Sequence, residues 1–168
     1  MKYLCALLFL LLSINPVQAA DYLVGVGIAY PFHPNKSHVT TTEAGVLDLT
    51  QYFVNTKVGS FGLRETVWIF SSEQGFAGGA GPAWEFRFPL RHDINLFTTA
   101  SGSIGGSNLA QMCPEVSGTL QFGGQFGIGM ELAQRVRVEL RYQHLSNGGT
   151  TKPNIGLDMI LPMVSLRF

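Results

Sequence analysis

Leu120-Gln121-Phe122-Gly123-Gly124-Gln125-Phe126-Gly127-Ile128-Gly129-Met130 alternates without a break. Leu, Phe, Gly, Phe, Ile and Met take the even positions, while Gln and Gly take the odd ones. A period of two marks a β-strand, because successive side chains leave the backbone on opposite faces. One face here is apolar and aromatic; the other carries only amides and glycine. A soluble sheet turns Lys, Thr and Glu towards water, whereas a glycine-rich inner face suits the crowded lumen of a small barrel. The stretch reads as a strand whose apolar side meets lipid.

The same pattern recurs in both directions. Val136, Val138, Leu140 and Tyr142 alternate with Arg135, Arg137, Glu139 and Arg141. Val164, Leu166 and Phe168 alternate with Met163, Ser165 and Arg167, and Trp84, Phe86, Phe88 and Leu90 with Ala83, Glu85, Arg87 and Pro89. Tyr22 to Tyr30 sets Tyr, Val, Val, Ile and Tyr against Leu, Gly, Gly and Ala. Strands are expected near 22–30, 46–53, 62–70, 81–90, 94–103, 118–130, 135–146 and 157–168. Connections near 31–45, 71–80, 104–117 and 147–156 are long; those near 54–61, 91–93 and 131–134 are shorter. Repeated ten-residue alternation with long and short connections in turn is the signature of a membrane barrel with outer loops and periplasmic turns. The fold class is therefore all-β: an eight-stranded antiparallel up-and-down transmembrane barrel with both termini in the periplasm. The terminal Phe168 closes an alternating strand, an ending familiar in outer-membrane barrels.

Composition narrows the class further. Only 13% of the 168 residues are charged, with 20 Gly and 11% aromatics. Met1-Lys2, the apolar run Leu4 to Ile14 and Val17-Gln18-Ala19 have the layout of a secretory signal peptide, too short to span a membrane as a helix. Residues 1–19 are thus expected as a cleaved leader and 20–168 as the barrel, exported to the bacterial outer membrane. Cys5 would leave with the leader, and the remaining Cys113 cannot form an intramolecular disulfide. Lys2 leaves too, so eleven Lys and Arg become ten against eleven Asp and Glu. Near neutrality without charge blocks argues against nucleic-acid binding. Pro31, Pro34, Pro82, Pro114 and Pro153 are expected in or beside loops, Pro162 demands an irregularity in the last strand, and the glycines of 102–106 and 123–129 read as loop and lumen residues.

The chemistry is concentrated in Arg141-Tyr142-Gln143-His144-Leu145-Ser146-Asn147-Gly148-Gly149 and Lys152-Pro153-Asn154-Ile155-Gly156-Leu157-Asp158. Continuing the even parity of Val136 to Tyr142 places His144 and Ser146 on the lipid face. Counting back from Phe168 places Asp158 there as well, provided Pro162 does not shift the register. All three gather at the outer rim of the final hairpin. Residues two apart on a strand have α-carbons about 7 Å apart, so the imidazole could take the proton that makes the serine hydroxyl a nucleophile. Asp158 could hold the imidazole tautomer. Asn147 and the amide of Gly149 could donate to a developing oxyanion. The same pair of residues would also suit an ordinary membrane interface. His33, His38 and His92 fall in loops or turns, and no clustered spacing argues for a metal.

These residues resemble the PagL-type lipid A 3-O-deacylases of Gram-negative outer membranes. The resemblance is closest in His144-x-Ser146-Asn147, Pro153-Asn154-x-Gly156 and the acid at 158; leader, size and strand number agree more loosely over the rest. It implies hydrolysis of the acyl ester at the 3-position of lipid A in lipopolysaccharide, with Ser146 as nucleophile, His144 as base and no cofactor. Here Asp158 stands where the family has Glu, one methylene longer. The competing readings are a non-enzymatic small barrel using loops 31–45 and 104–117 for adhesion, and a soluble lipid-binding barrel, which the apolar outer face disfavours. A barrel of eight strands is too narrow for an open pore. The oligomeric state is open, a homodimer included.

Overall fold

The computed structural model describes residues 21–32, 43–70, 75–108, 118–152 and 156–168. The leader, its cleavage site, His33, His38, Cys113, Pro34, Pro114, Pro153 and Asn154 lie outside the described residues. Eight strands follow in order: β1 (Asp21–Phe32), β2 (Ala44–Asn55), β3 (Gly59–Phe70), β4 (Phe76–Arg91), β5 (Ile94–Ser107), β6 (Leu120–Leu132), β7 (Val136–Ser146) and β8 (Leu157–Arg167). Each pairs with its sequence neighbour, and β8 pairs back on β1, closing the barrel. Closure removes every free strand edge, which is the condition for a sheet to cross lipid.

A circuit along paired residues runs from Val136 through Leu166, Val24, Leu49, Glu65, Ala80, Ile104 and Phe122 and returns to β7 at Ser146. That stagger of ten residues tilts the strands against the barrel axis. The turns at 56–58, 92–93 and 133–135 lie at one end, together with the paired termini, where Tyr22 and Phe168 exchange backbone hydrogen bonds of 3.2 and 2.9 Å. The strand ends that lead into the longer connections lie at the other end, which includes His144, Ser146 and Asp158.

The alternation read from the sequence governs which side chains enter the lumen. Val136, Val138, Leu140 and Tyr142 are exposed on the wall, while Arg137, Glu139, Arg141 and Gln143 are buried inside. Buried charges require partners, and the lumen supplies them in two layers. Near mid-barrel, Arg141 meets Glu139 at 2.8 Å and Asp48 at 3.3 Å, and Arg64 lies 3.5 Å from Asp48. Towards the turns, Glu85 is held by Arg137 at 2.6 Å, Arg87 at 2.5 Å and the Tyr52 hydroxyl at 2.9 Å. At the loop end the lumen is apolar instead. Trp68, Phe70, Leu145, Leu157, Met159 and Leu161 pack there, directly behind the outward-facing residues of the final hairpin.

Several expectations need correction. β4 begins at Phe76 and β5 runs to Ser107, so the glycines of 102–106 belong to a strand and not to a loop. Pro31 and Pro82 also lie inside strands, in β1 and β4. Pro162 causes no register shift: β7 and β8 stay in step from Val136↔Leu166 to Leu145↔Leu157, through Leu140↔Pro162. The interruption falls on the other side, where the β1–β8 ladder passes from Gly27↔Met163 to Tyr30↔Ile160 with the pairs between them missing. A proline lacks one ladder donor, and here the wall absorbs that loss without sliding.

Candidate active site

With the register unbroken, His144 pairs directly with Asp158. Both point outward, and directly opposite residues of an antiparallel pair bring their β-carbons within about 5.5 Å. The His144 Nδ1 to Asp158 Oδ1 distance is 2.8 Å. The imidazole side chain is 41% exposed and the carboxylate 23%, so the contact sits on the wall and not in the lumen. A carboxylate on Nδ1 makes that nitrogen the N–H donor and leaves the Nε2 lone pair free to accept a proton.

Ser146 lies two residues further along β7, on the same face and half-buried, opposite Phe122 of β6. Among the described residues no hydrogen bond joins it to His144; such contacts commonly tighten only when substrate is bound.

Gly156 sits immediately before β8 with φ of 81°. A β-carbon there would lie 2.5 Å from His144 Cε1 and 3.0 Å from Nε2. The returning chain therefore passes against the edge of the imidazole, and only glycine permits both the backbone angle and the contact.

Asn147, Gly148, Gly149 and Thr150 form the turn after the serine. Both glycines have positive φ, 62° and 80°, and the Thr150 N–H donates to the Asn147 carbonyl at 3.1 Å. That is a primed turn, for which Gly-Gly is suited. The Asn147 side chain is buried and pins the loop. Its Oδ1 accepts the Gly149 N–H at 2.8 Å, and its Nδ2 donates to both the carbonyl and the hydroxyl of Thr151 at 2.9 Å. The two groups expected to serve an oxyanion are thus engaged inside the turn.

One participant was not singled out from sequence. The Tyr142 hydroxyl donates to Asp158 Oδ1 at 2.5 Å. Tyr142 reads as one more apolar residue of the wall, although its parity matches that of His144 and Asp158. His92 is exposed in the β4–β5 turn at the far end. A cavity of about 710 Å³ also opens at that end, among Lys57, Arg87, Glu131, Arg135 and Arg167, away from the hairpin. Among the described residues no cluster of His, Cys, Asp and Glu has the makings of a metal site.

A family model described as lipid A 3-O-deacylase (PagL) matches residues 24–167. The chain belongs to the PagL family. One relative, the lipid A deacylase PagL of Bordetella bronchiseptica, is 42% identical over 45 residues, which is 27% of this chain and 25% of the relative. The aligned stretch thus spans only about a quarter of that protein's length. The crystal structure of the outer-membrane enzyme PagL superimposes with a TM-score of 0.67 at 17% identity, covering 86% of this chain and 97% of that one. Neisserial surface protein A superimposes at 0.59 and 11% identity, covering 89% and 98%. These likenesses establish the small outer-membrane barrel. Because that barrel is shared with a protein named for the cell surface, the activity of a PagL-family chain must be argued from its site.

Proposed function

We propose that this chain hydrolyses the ester-linked 3-hydroxyacyl chain at the 3-position of lipid A, using Ser146, His144 and Asp158 on its lipid-facing wall. The observation that carries the reading is the 2.8 Å contact between His144 Nδ1 and Asp158 Oδ1 on the outward face. It orients an imidazole base two residues from a serine, at a height where an outer-leaflet lipid presents its acyl esters.

In the proposed reaction Ser146 Oγ attacks the ester carbonyl carbon while His144 Nε2 takes the hydroxyl proton. The carbonyl π electrons move onto oxygen, giving a tetrahedral oxyanion. Its collapse breaks the bond to the sugar oxygen, which leaves with the proton from His144. Water, deprotonated by His144, then attacks the acyl-serine and releases the 3-hydroxy fatty acid, returning the proton to Ser146. Asp158 stays ionised and stabilises the imidazolium formed in each half. No cofactor takes part. All three residues come from one chain, so the proposed site requires no second copy.

Asn147 and Gly149 remain the proposed oxyanion donors. For that role Asn147 Nδ2 has to exchange a Thr151 contact, or the Gly149 N–H its bond to Asn147 Oδ1, for the new oxyanion. Charge development on the substrate would favour such an exchange, since hydrogen bonds to ionised acceptors are the stronger kind.

The test is mass spectrometry of lipopolysaccharide incubated with the detergent-purified protein. Lipid A should lose one 3-hydroxyacyl group, and Ser146→Ala and His144→Asn should each abolish the loss. An unchanged lipid A spectrum with a folded barrel would return the protein to the adhesion or surface-interaction reading.

A further inference from the structure

The proposed reaction leaves the hydroxyl of Tyr142 without a task, yet this group is attached to the acid. Tyr142 lies one outward-facing position from His144 on β7 and pairs with Ile160, two residues beyond Asp158 on β8. From that diagonal position a long side chain can reach across the ladder. Its O–H donates at 2.5 Å to Oδ1 of Asp158, the same oxygen that meets His144 Nδ1 at 2.8 Å. The tyrosine ring in turn leans on Phe32, with centroids 6.3 Å apart and planes at 58°. Phe32 is the β1 partner of Asp158.

We propose that Tyr142 is a positioning residue of the hydrolytic site, fixing Asp158 Oδ1 against His144 Nδ1. The inference rests on the reading of His144, Ser146 and Asp158 given above. An aspartate at a membrane rim has competing places to go, since lipid head groups and loop amides all offer partners to its charge. The bond to His144 changes in strength whenever the imidazole changes charge during turnover, which favours a swing of the carboxylate. A second donor on the same oxygen, carried by a ring wedged between β7 and β1, restricts that swing in both protonation states of the imidazole. Asp158 carries one methylene fewer than the glutamate implied by the family resemblance, so its reach is short and its aim matters more.

Tyr142→Phe is the test, because it removes one oxygen and keeps the ring, the Phe32 contact and the lipid-facing bulk. In the detergent-solubilised full-length protein, kcat for 3-hydroxy fatty acid release should fall about tenfold or more, as for a lost hydrogen bond to a charged group. KM should stay within about twofold, because no substrate contact is removed. The proton resonance of His144 Nδ1–H, observed by NMR in micelles, should shift or broaden as its acceptor loosens. A folded variant with wild-type kcat and an unchanged resonance overturns the proposal. A proportionate rise in KM with kcat unchanged also overturns it, since that outcome marks a substrate contact. If the wild-type protein releases no fatty acid, the reading of the function fails; the resonance still decides whether Tyr142 holds the pair.

Discussion

His144 and Asp158 are directly paired across β7 and β8, and their side chains meet at 2.8 Å on the outer wall of the barrel. The relationship depends on Pro162, four residues along β8, leaving the β7 ladder in step. Had the proline inserted a bulge between Asp158 and the end of the strand, the acid would have turned into the lumen.

The first prediction addresses the charge of that acid. Asp158→Asn keeps the volume and can still accept from Tyr142, but it cannot stabilise an imidazolium and permits the wrong tautomer. Activity should fall about 10³- to 10⁴-fold, the size seen when a triad acid is neutralised or removed. Thermal unfolding should move little, because both side chains are partly exposed. Retention of more than a tenth of wild-type turnover would remove Asp158 from the mechanism.

Gly156→Ala tests the return of the chain over the imidazole. A left-handed backbone costs a non-glycine residue about 1–2 kcal/mol. The added methyl would also press on His144 Cε1, 2.5 Å from its ideal position. The ring must then rotate away from Asp158 or the loop must lift. Deacylation should drop by at least about tenfold while the barrel keeps its heat-resistant gel mobility. An active Gly156→Ala protein would mean that the loop accommodates the methyl without moving His144.

The parity that placed His144, Ser146 and Asp158 on one face was legible because it needs only a count by two along strands of strong contrast. β6, β7 and β8 were read to within about two residues for the same reason. β4 and β5 were read too short because their shared region is built from glycine. A β-carbon on Gly105 would lie 1.8 Å from the Gly78 carbonyl oxygen, and one on Gly81 2.1 Å from that of Gly102. Glycine is there for close approach, yet a glycine carries no apolar or polar mark, so the run resembled a loop. β3 was blurred by Glu65, a charged residue at an outward position of the alternation that is nonetheless buried, between Arg64 and Thr66, which bond inside the lumen. Tyr142 escaped notice because a wall tyrosine fits the aromatic belt equally well; its hydroxyl's target appears only with the register. The engagement of Asn147 with Thr151 depends on how the loop folds, which no periodicity encodes.

That engagement yields a separable pair of variants. Asn147→Ala removes the acceptor of the Gly149 N–H and both donors to Thr151, so it should loosen the turn as well as slow catalysis. Thr151→Ala removes one of those contacts and leaves the asparagine amide intact. If Asn147 donates to the oxyanion, Asn147→Ala should cost about 10²- to 10³-fold in kcat, and Thr151→Ala should cost little. Equal losses in the two proteins would assign Asn147 to the turn alone.

The lumen makes the last prediction, because it holds the wall on which the site is mounted. Arg141 is 1% exposed and joins Glu139, Asp48 and Gln125, three side chains from three other positions on β7, β2 and β6. Arg141→Leu has the right parity for a buried residue but takes the paired cation from Glu139 and leaves Asp48 with Arg64 alone. Breaking a buried pair from one side costs about 3–5 kcal/mol, so the urea midpoint for unfolding from detergent micelles should fall clearly. Replacing Arg141 and Glu139 together by Leu and Gln removes the stranded carboxylate, keeps Asp48 paired with Arg64 at 3.5 Å, and should recover part of that loss. A single variant as stable as wild type would show that water reaches the network from the turn end and screens it.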